Sequence, residues 1–164
     1  MIKFTTVNGI QVGTVESISG EKNDCAILAL VACTGSTYEE ARRFIARETG
    51  RRARQGTELT SLIRSLNGKT VFGKSFKAIG DRVTQIRGYA GLVNLLSPSV
   101  LSKTGYRITK SPMTIMRFLK EYPKGTYYIL VRGHAMSIID GVIYGNPSDG
   151  RRLKARVMGA FMVS

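Results

Sequence analysis

Glycines punctuate the first residues of the chain, and a long apolar run follows them. Residues 1–22 predict an opening strand or two, separated by glycines. The segment Cys25–Cys33 is apolar throughout. A segment that is apolar on all sides predicts a short buried helix. Asn23 or Asp24 is suited to be its N-cap, and Gly35 is suited to the left-handed position that ends it.

Two amphipathic helices are predicted after this run. Overlapping capping boxes begin at Ser36 and Thr37, and the helix that follows ends near Gly50. Its apolar face is formed by Tyr38, Ala41, Phe44 and Ile45. Thr57 is a candidate cap for the next helix, which ends at Asn67-Gly68. The apolar face of that helix has the spacing i, i+3, i+4, i+7 and consists of Leu59, Leu62, Ile63 and Leu66.

The middle of the chain gives a weaker pattern than its two ends. Segments 70–72 and 106–109 are predicted to be strands, while 90–101 is predicted to be a short helix or a loop crossing. Ser111-Pro112 has the form of an N-cap followed by proline at the first helical position. The helix predicted there has an apolar face of Ile115, Phe118, Leu119 and Tyr122.

The last third of the chain predicts strands. They cover 126–132, 134–139 and 142–144, with one or two more within 153–163. Asp140-Gly141 is the two-residue turn favoured in hairpins. The pattern therefore predicts an α+β fold in a single domain, 1–164, with a mainly helical N-terminal half and an antiparallel sheet in the C-terminal half.

Composition agrees with a globular protein, but the charge is unusual. Of 164 residues, 43% are hydrophobic and 22% charged, and the net charge is +14. Such a charge favours polyanionic partners, including nucleic acid, although a basic protein without such a partner is the plain alternative. The candidate polyanion-binding residues form an arginine cluster: Arg42, Arg43, Arg47, Arg51, Arg52 and Arg54. No aromatic residues interleave with this cluster, so it is not predicted to be a base-stacking platform.

The sequence predicts neither a membrane span nor a signal peptide. Cys25 and Cys33 are eight residues apart, about 12 Å on one helix, which is too far for a disulfide. Two reduced cysteines indicate a cytoplasmic protein. Two cysteines and one histidine, without carboxylates at matching spacing, do not form a zinc tetrad, so no metal or other cofactor is predicted.

Cys25 is the candidate nucleophile because it begins the buried helix. The partial positive charge of a helix N-terminus favours a thiolate, and a free backbone N–H there can bind an oxyanion. His134, the only histidine, follows Gly133 at the start of a predicted strand and is the candidate base. The alternative is that both are ordinary buried residues. Cys33 lies inside the apolar run and is predicted to be inert.

A catalytic histidine needs a partner that orients its ring. Asn146 is the first candidate, since it follows the hairpin that returns beside His134. Asp140 is weaker because it occupies the distal turn, and Asp149 lies further into the loop. Asn146-Pro147 is also a common turn pair, so a purely structural role for Asn146 stays open.

Together these motifs resemble the papain-like cysteine peptidases. They are Asn-Asp-Cys at 23–25, Gly-His-Ala at 133–135, the Asp-Gly turn and Asn-Pro at 146–147. The nearest resemblance is to compact bacteriocin-processing peptidases and small bacteriophage-encoded relatives, whose sequences are also similar to 34–41. The resemblance implies a papain-like fold and a Cys25, His134 and Asn146 triad that acts on a protein or peptide.

This sequence lacks one residue of the family's pattern. The family carries a glutamine about six residues before its cysteine as the second oxyanion donor, and Ser19 occupies that position here. Asn23 is a second candidate for that donor.

Two functions follow from these features. The first is a cysteine hydrolase, a peptidase or deamidase, in the cytoplasm, which is the host cytoplasm if the protein is phage-encoded. The alternative is a weakly active or inactive relative that serves as a basic binding or virion-associated protein. In it, the arginine cluster would contact nucleic acid, joined by Arg151, Arg152, Lys154 and Arg156.

Overall fold

The computed structural model describes residues 2–18, 20–79, 82–86, 89–93, 99–101, 107–109 and 113–164. These residues form an α+β fold, as the sequence predicts, in which helices cover a mostly antiparallel sheet. No helix in this described part of the chain is long and apolar enough to cross a membrane.

The first half of the chain supplies strands as well as helices. Strands β1 (Lys3–Val7) and β2 (Ile10–Thr14) precede helices α1 (Cys25–Thr34), α2 (Tyr38–Thr49) and α3 (Leu59–Leu66). Strands β3 (Thr70–Val71) and β4 (Lys74–Ala78) form a hairpin after them. The hairpin turn is Phe72-Gly73, with both residues at positive φ, so the predicted strand 70–72 ends one residue early and β4 was not predicted.

The caps of these helices mostly agree with the sequence. Gly35 and Gly50 adopt the left-handed conformation at the ends of α1 and α2. Of the two overlapping capping boxes, the one formed by Thr37 and Glu40 begins α2. Thr57 was wrongly predicted to cap α3, because the Glu58 carboxylate accepts the Ser61 N–H, at 2.7 Å.

The second half of the chain contains the remaining strands. Strands β5 (Arg82–Ile86) and β6 (Tyr89–Val93) form one hairpin, and β7 (Ser99–Leu101) and β8 (Arg107–Thr109) form another. The prediction of a helix or loop crossing over 90–101 is therefore wrong where the chain is described. Ser111-Pro112 lies outside the described residues. Helix α4 (Ile115–Glu121) begins later, where the Thr114 hydroxyl accepts the Arg117 N–H.

Strands β9 (Thr126–Val131), β10 (His134–Ile139), β11 (Val142–Gly145) and β12 (Val157–Val163) complete the fold. The short 3-10 helix Pro147–Arg151 lies between β11 and β12. The main sheet has the strand order β1-β2-β11-β10-β9-β12-β4-β3. Its pairs are antiparallel except β11 with β2, which run parallel. The two N-terminal strands thus join the sheet formed by the C-terminal half.

Helix α1 lies on the centre of this sheet. Its residues Ala26–Leu30 are buried, in one core with the apolar residues of β9 and β10. Burial on all sides agrees with its apolar sequence. The core therefore places the first residue of α1 beside the start of β10.

Candidate active site

Cys25 is the first residue of α1 and lines a cleft of about 500 Å³. One wall of the cleft is formed by Gly56 and Thr57 between α2 and α3, and the other by Gly133 and His134 at the start of β10. The half-buried thiol therefore lies where a bound molecule can reach it.

Asp24 precedes Cys25 and is the N-cap of α1, but its side chain does not cap the helix. The buried carboxylate instead accepts hydrogen bonds from the Ser17 hydroxyl and, at 2.8 Å, from the Tyr38 hydroxyl. Burial and the hydrogen bond to Asp24 raise the pKa of Tyr38, so its hydroxyl stays protonated and donates.

The first two N–H groups of α1, those of Cys25 and Ala26, stay open as a result. The Asp24 carbonyl accepts from the N–H groups of Ile27, at 2.8 Å, and Leu28, at 3.0 Å. Among the described residues, none accepts a hydrogen bond from the N–H of Cys25 or Ala26. Free N–H groups at a helix N-terminus bind anions, so this turn can stabilise an oxyanion formed next to the sulfur.

His134 begins β10 after a tight turn. Gly133 has φ +67°, which a residue with a side chain rarely adopts, and it allows β9 to return antiparallel as β10. His134 pairs with Val131 across this turn, and its side chain is only 6% exposed. The ring is therefore held in one place by the sheet.

The partner of the imidazole is Asp149. His134 Nε2 and Asp149 Oδ1 lie 2.9 Å apart as an ion pair, and neither atom has a well-aligned hydrogen bond among the described residues. The Asp149 side chain is fully buried, and its Oδ2 accepts the Asn146 N–H at 3.0 Å. At this distance the negative charge of the buried carboxylate lies against the ring and favours its protonated form.

The sequence prediction named Asn146 for this role, and the structure gives it to Asp149. Asn146 is the N-cap of the 3-10 helix, and it lines the cleft. Asp149 is three residues further on, where the side chain turns back over the N-cap. The Asn-x-x-Asp spacing of a capping box is the sequence signal that could have identified Asp149.

The charge of His134 follows from these contacts. Burial disfavours the imidazolium, but the interactions with Asp149 and Cys25 outweigh it, and they raise the pKa of His134 to about 9. Because Nε2 faces Asp149, Nδ1 is the ring nitrogen left for Cys25. The imidazole is therefore protonated at neutral pH.

Two buried hydroxyl groups hold α1 at this position. Tyr128 of β9 donates to the Ala26 carbonyl at 2.9 Å, and Ser137 of β10 donates to the Ala29 carbonyl at 2.6 Å. Burial raises the pKa of Tyr128 well above its ordinary value, so it remains a donor. These bonds attach the helix that carries Cys25 to the strand that carries His134 and to its neighbour.

We expect Tyr128→Phe to loosen this attachment. The variant keeps the ring and loses one buried hydrogen bond, which costs about 1 kcal/mol of unfolding free energy and is measurable by urea denaturation. Tyr127→Phe is the matched control, because its hydroxyl donates to the Lys124 carbonyl, at 2.8 Å, away from α1. Only Tyr128→Phe should slow the alkylation of Cys25. Equal alkylation rates in both variants would contradict the attachment.

Cys33 is a buried core residue, as predicted. Its thiol faces the Leu30 carbonyl at 3.6 Å, and burial raises its pKa to about 12. Cys33 is thus an internal reference for the reactivity of Cys25.

Neither candidate for the second oxyanion donor is placed in that role. Ser19 lies outside the described residues. Asn23 lines the cleft, but its side-chain amide donates to the Arg54 carbonyl at 3.2 Å and holds the loop between α2 and α3. Donation by Asn23 to an oxyanion stays a prediction.

Most of the predicted arginine cluster is engaged within the protein. Arg51 is wrongly assigned to polyanion binding, because its side chain is 1% exposed and pairs with Glu21 at 2.9 Å. Arg42 and Arg43 both pair with Glu39, at 2.9 Å each. Arg47 pairs with Glu48 at 2.8 Å, whereas Arg52 and Arg54 are exposed. Contact between the exposed arginines and a polyanion stays a prediction.

Among the described residues, no group of three or more histidine, cysteine or acidic side chains is placed to hold a metal ion. Comparison of the chain with protein-family models, curated proteins and solved structures found no match. The functional argument therefore depends on the geometry of the cleft.

Proposed function

We propose that this protein is a papain-like cysteine hydrolase, a peptidase or deamidase, that acts through a thioester. The observation that carries the proposal is a cleft at the start of α1 that is lined by both Cys25 and His134, with the buried Asp149 carboxylate 2.9 Å from the His134 ring. A nucleophile, a base and a group that orients the base are the parts such chemistry requires.

Each residue has a role in the reaction. The protonated His134 favours the thiolate of Cys25, which attacks the carbonyl carbon of the substrate amide. The N–H of Cys25 donates to the oxyanion that forms. His134 then gives its proton to the leaving nitrogen, so that an amine or ammonia departs and a thioester remains.

The second half of the reaction restores the enzyme. His134 takes a proton from water, which attacks the thioester and releases the carboxylic acid and the thiolate. Asp149 holds the ring and stabilises its positive charge throughout, without taking the proton. Encoding by a bacteriophage, and a location in the host cytoplasm or the virion, stay predictions from the sequence resemblance.

Alkylation with iodoacetamide near neutral pH tests this proposal. In the wild-type protein we expect Cys25 to react much faster than the buried Cys33, with both sites quantified in one sample by peptide mass mapping. His134→Ala removes the positive charge beside the thiol and should slow Cys25 about tenfold or more.

His134→Gln is the companion variant. It fills the same space and leaves a polar group for Asp149, so the fold is retained even where alanine would leave that carboxylate unpaired. Equally slow alkylation of Cys25 in the wild type and in His134→Gln would refute the proposed function.

A further inference from the structure

Arg152 is a cation in the cleft that no carboxylate among the described residues fully neutralises. Its side chain lines the cleft and is 41% exposed. Its Nε lies 3.5 Å from Asp149 Oδ1, too far for a good hydrogen bond, and is buried without another partner among the described residues. The guanidinium carries five N–H donors, so most of its donor capacity is open to a ligand.

The carboxylates nearby are already engaged. Asp24 accepts from Ser17 and Tyr38, while Asp149 contacts His134 and accepts the Asn146 N–H. Neither carboxylate is therefore free to turn towards the outer part of the guanidinium. A ligand that carries its own carboxylate would neutralise the Arg152 guanidinium, since arginine binds planar anions through two parallel hydrogen bonds.

The position of Arg152 indicates which part of a substrate it meets. His134 must give its proton to the leaving nitrogen, so the leaving group lies on the His134 side of Cys25. Arg152 contacts the same Asp149 oxygen as the His134 ring and lines the same cleft as Cys25. Three short contacts and one ring separate Arg152 from Cys25, so the two side chains lie within about 12 Å of each other, the length of roughly three extended residues.

We propose that Arg152 selects substrates with a carboxylate on the leaving-group side, within about three residues of the bond that is cleaved. The carboxylate comes from an acidic side chain or from the C-terminus of the substrate. This inference depends on the proposed function, and it names the class of substrate for that site.

Activated disulfides that place a peptide on the leaving-group side of Cys25 test the inference. Three acetyl-cysteinyl dipeptides are used as 2-pyridyl disulfides: Cys-Glu amide, Cys-Gln free acid and Cys-Gln amide, each also made with one inserted glycine. The Cys25 thiolate attacks the peptide sulfur, forms a new disulfide and expels pyridine-2-thiolate, whose absorbance gives the rate. The first two probes separate a side-chain carboxylate from a terminal one.

In the wild-type protein we expect one anionic probe to react about tenfold faster than the neutral amide, because a hydrogen-bonded ion pair has that effect. Arg152→Gln should remove this preference, measured within the variant as the ratio of the anionic-probe rate to the neutral-probe rate. Arg151→Gln is the matched control, since it removes the same charge at an exposed neighbour outside the cleft lining, and it should keep the preference.

Three outcomes would overturn the inference. They are no preference in the wild type, the same preference in Arg152→Gln, or an equal slowing of all probes in Arg152→Gln, which would mean that Arg152 only positions Asp149. Failure of the proposed function is distinguishable from these, since Cys25 would then react slowly with every probe and be unaffected by His134→Gln.

Discussion

Asp149→Asn lowers the pKa of His134 from about 9 towards its ordinary value of 6.5. The substitution keeps the shape of the side chain and removes the buried negative charge that favours the imidazolium. His134 is the only histidine in the chain, so one ring signal in an NMR titration reports this pKa without assignment. We expect alkylation of Cys25 at about pH 7 to fall about fourfold, since a ring with a pKa near 6.5 is mostly neutral there.

The same substitution changes how stability depends on pH. The pKa of His134 is higher in the folded protein, about 9, than in the unfolded chain, 6.5, so protonation of the ring stabilises the fold. This stabilisation is fully present below about pH 6.5 and is lost as the pH rises through about 9. For this buried group it amounts to at most about 3 kcal/mol. Urea denaturation at about pH 6 and about pH 10 measures it.

The wild type should lose this stability on going to the higher pH, and Asp149→Asn should lose much less. Asp140→Asn is the control for a general charge effect, because Asp140 lies in the distal hairpin turn away from His134. A titration of His134 that stays near 9 in Asp149→Asn would show that the carboxylate does not hold the proton on the ring.

Gly145→Ala disrupts the site without replacing any of its polar groups. A Cβ on Gly145, at the end of β11, would overlap Oδ2 of Asp149. The carboxylate must then leave the Asn146 N–H and move relative to His134. We expect a lower pKa of His134, about tenfold slower alkylation of Cys25, and a loss of about 1–3 kcal/mol in unfolding free energy from overpacking.

Gly56→Ala is the matched control for stability and for the histidine titration. Gly56 has an ordinary φ, and nothing lies within 4 Å of a Cβ built there. Both measurements should match the wild type. If Gly145→Ala loses stability while the His134 titration is unaltered, Asp149 has kept its contact with the ring and its position does not depend on the space at Gly145.

The local features of the site follow from the sequence. An unbroken apolar run predicts a buried helix, because every face of it must leave water, and that run begins at Cys25 as observed. The strand that begins at His134 and the turn at Asp140-Gly141 also follow from local patterns, since alternation and a turn with positive φ are properties of a few adjacent residues.

The partners of these elements depend on contacts between distant residues. Asp149 and not Asn146 lies beside the His134 ring because the Asp149 side chain turns back towards the start of the 3-10 helix, where it accepts the Asn146 N–H. The space for this carboxylate exists because Gly145 has no side chain. The burial of Arg51 with Glu21 depends likewise on two residues that lie 30 positions apart. A charge pattern along the chain does not contain that information.

By itself, then, the sequence determined the α+β class, the helix that begins at Cys25 and the strand that begins at His134. Only the tertiary structure decided that β2 pairs in parallel with β11, that Tyr128 and Ser137 fasten α1 to the sheet, and that Asp149 faces the imidazole. The physical reason is range. Hydrophobic periodicity and turn preferences act over a few residues, whereas a buried polar atom takes whichever partner the packed core brings within hydrogen-bonding distance.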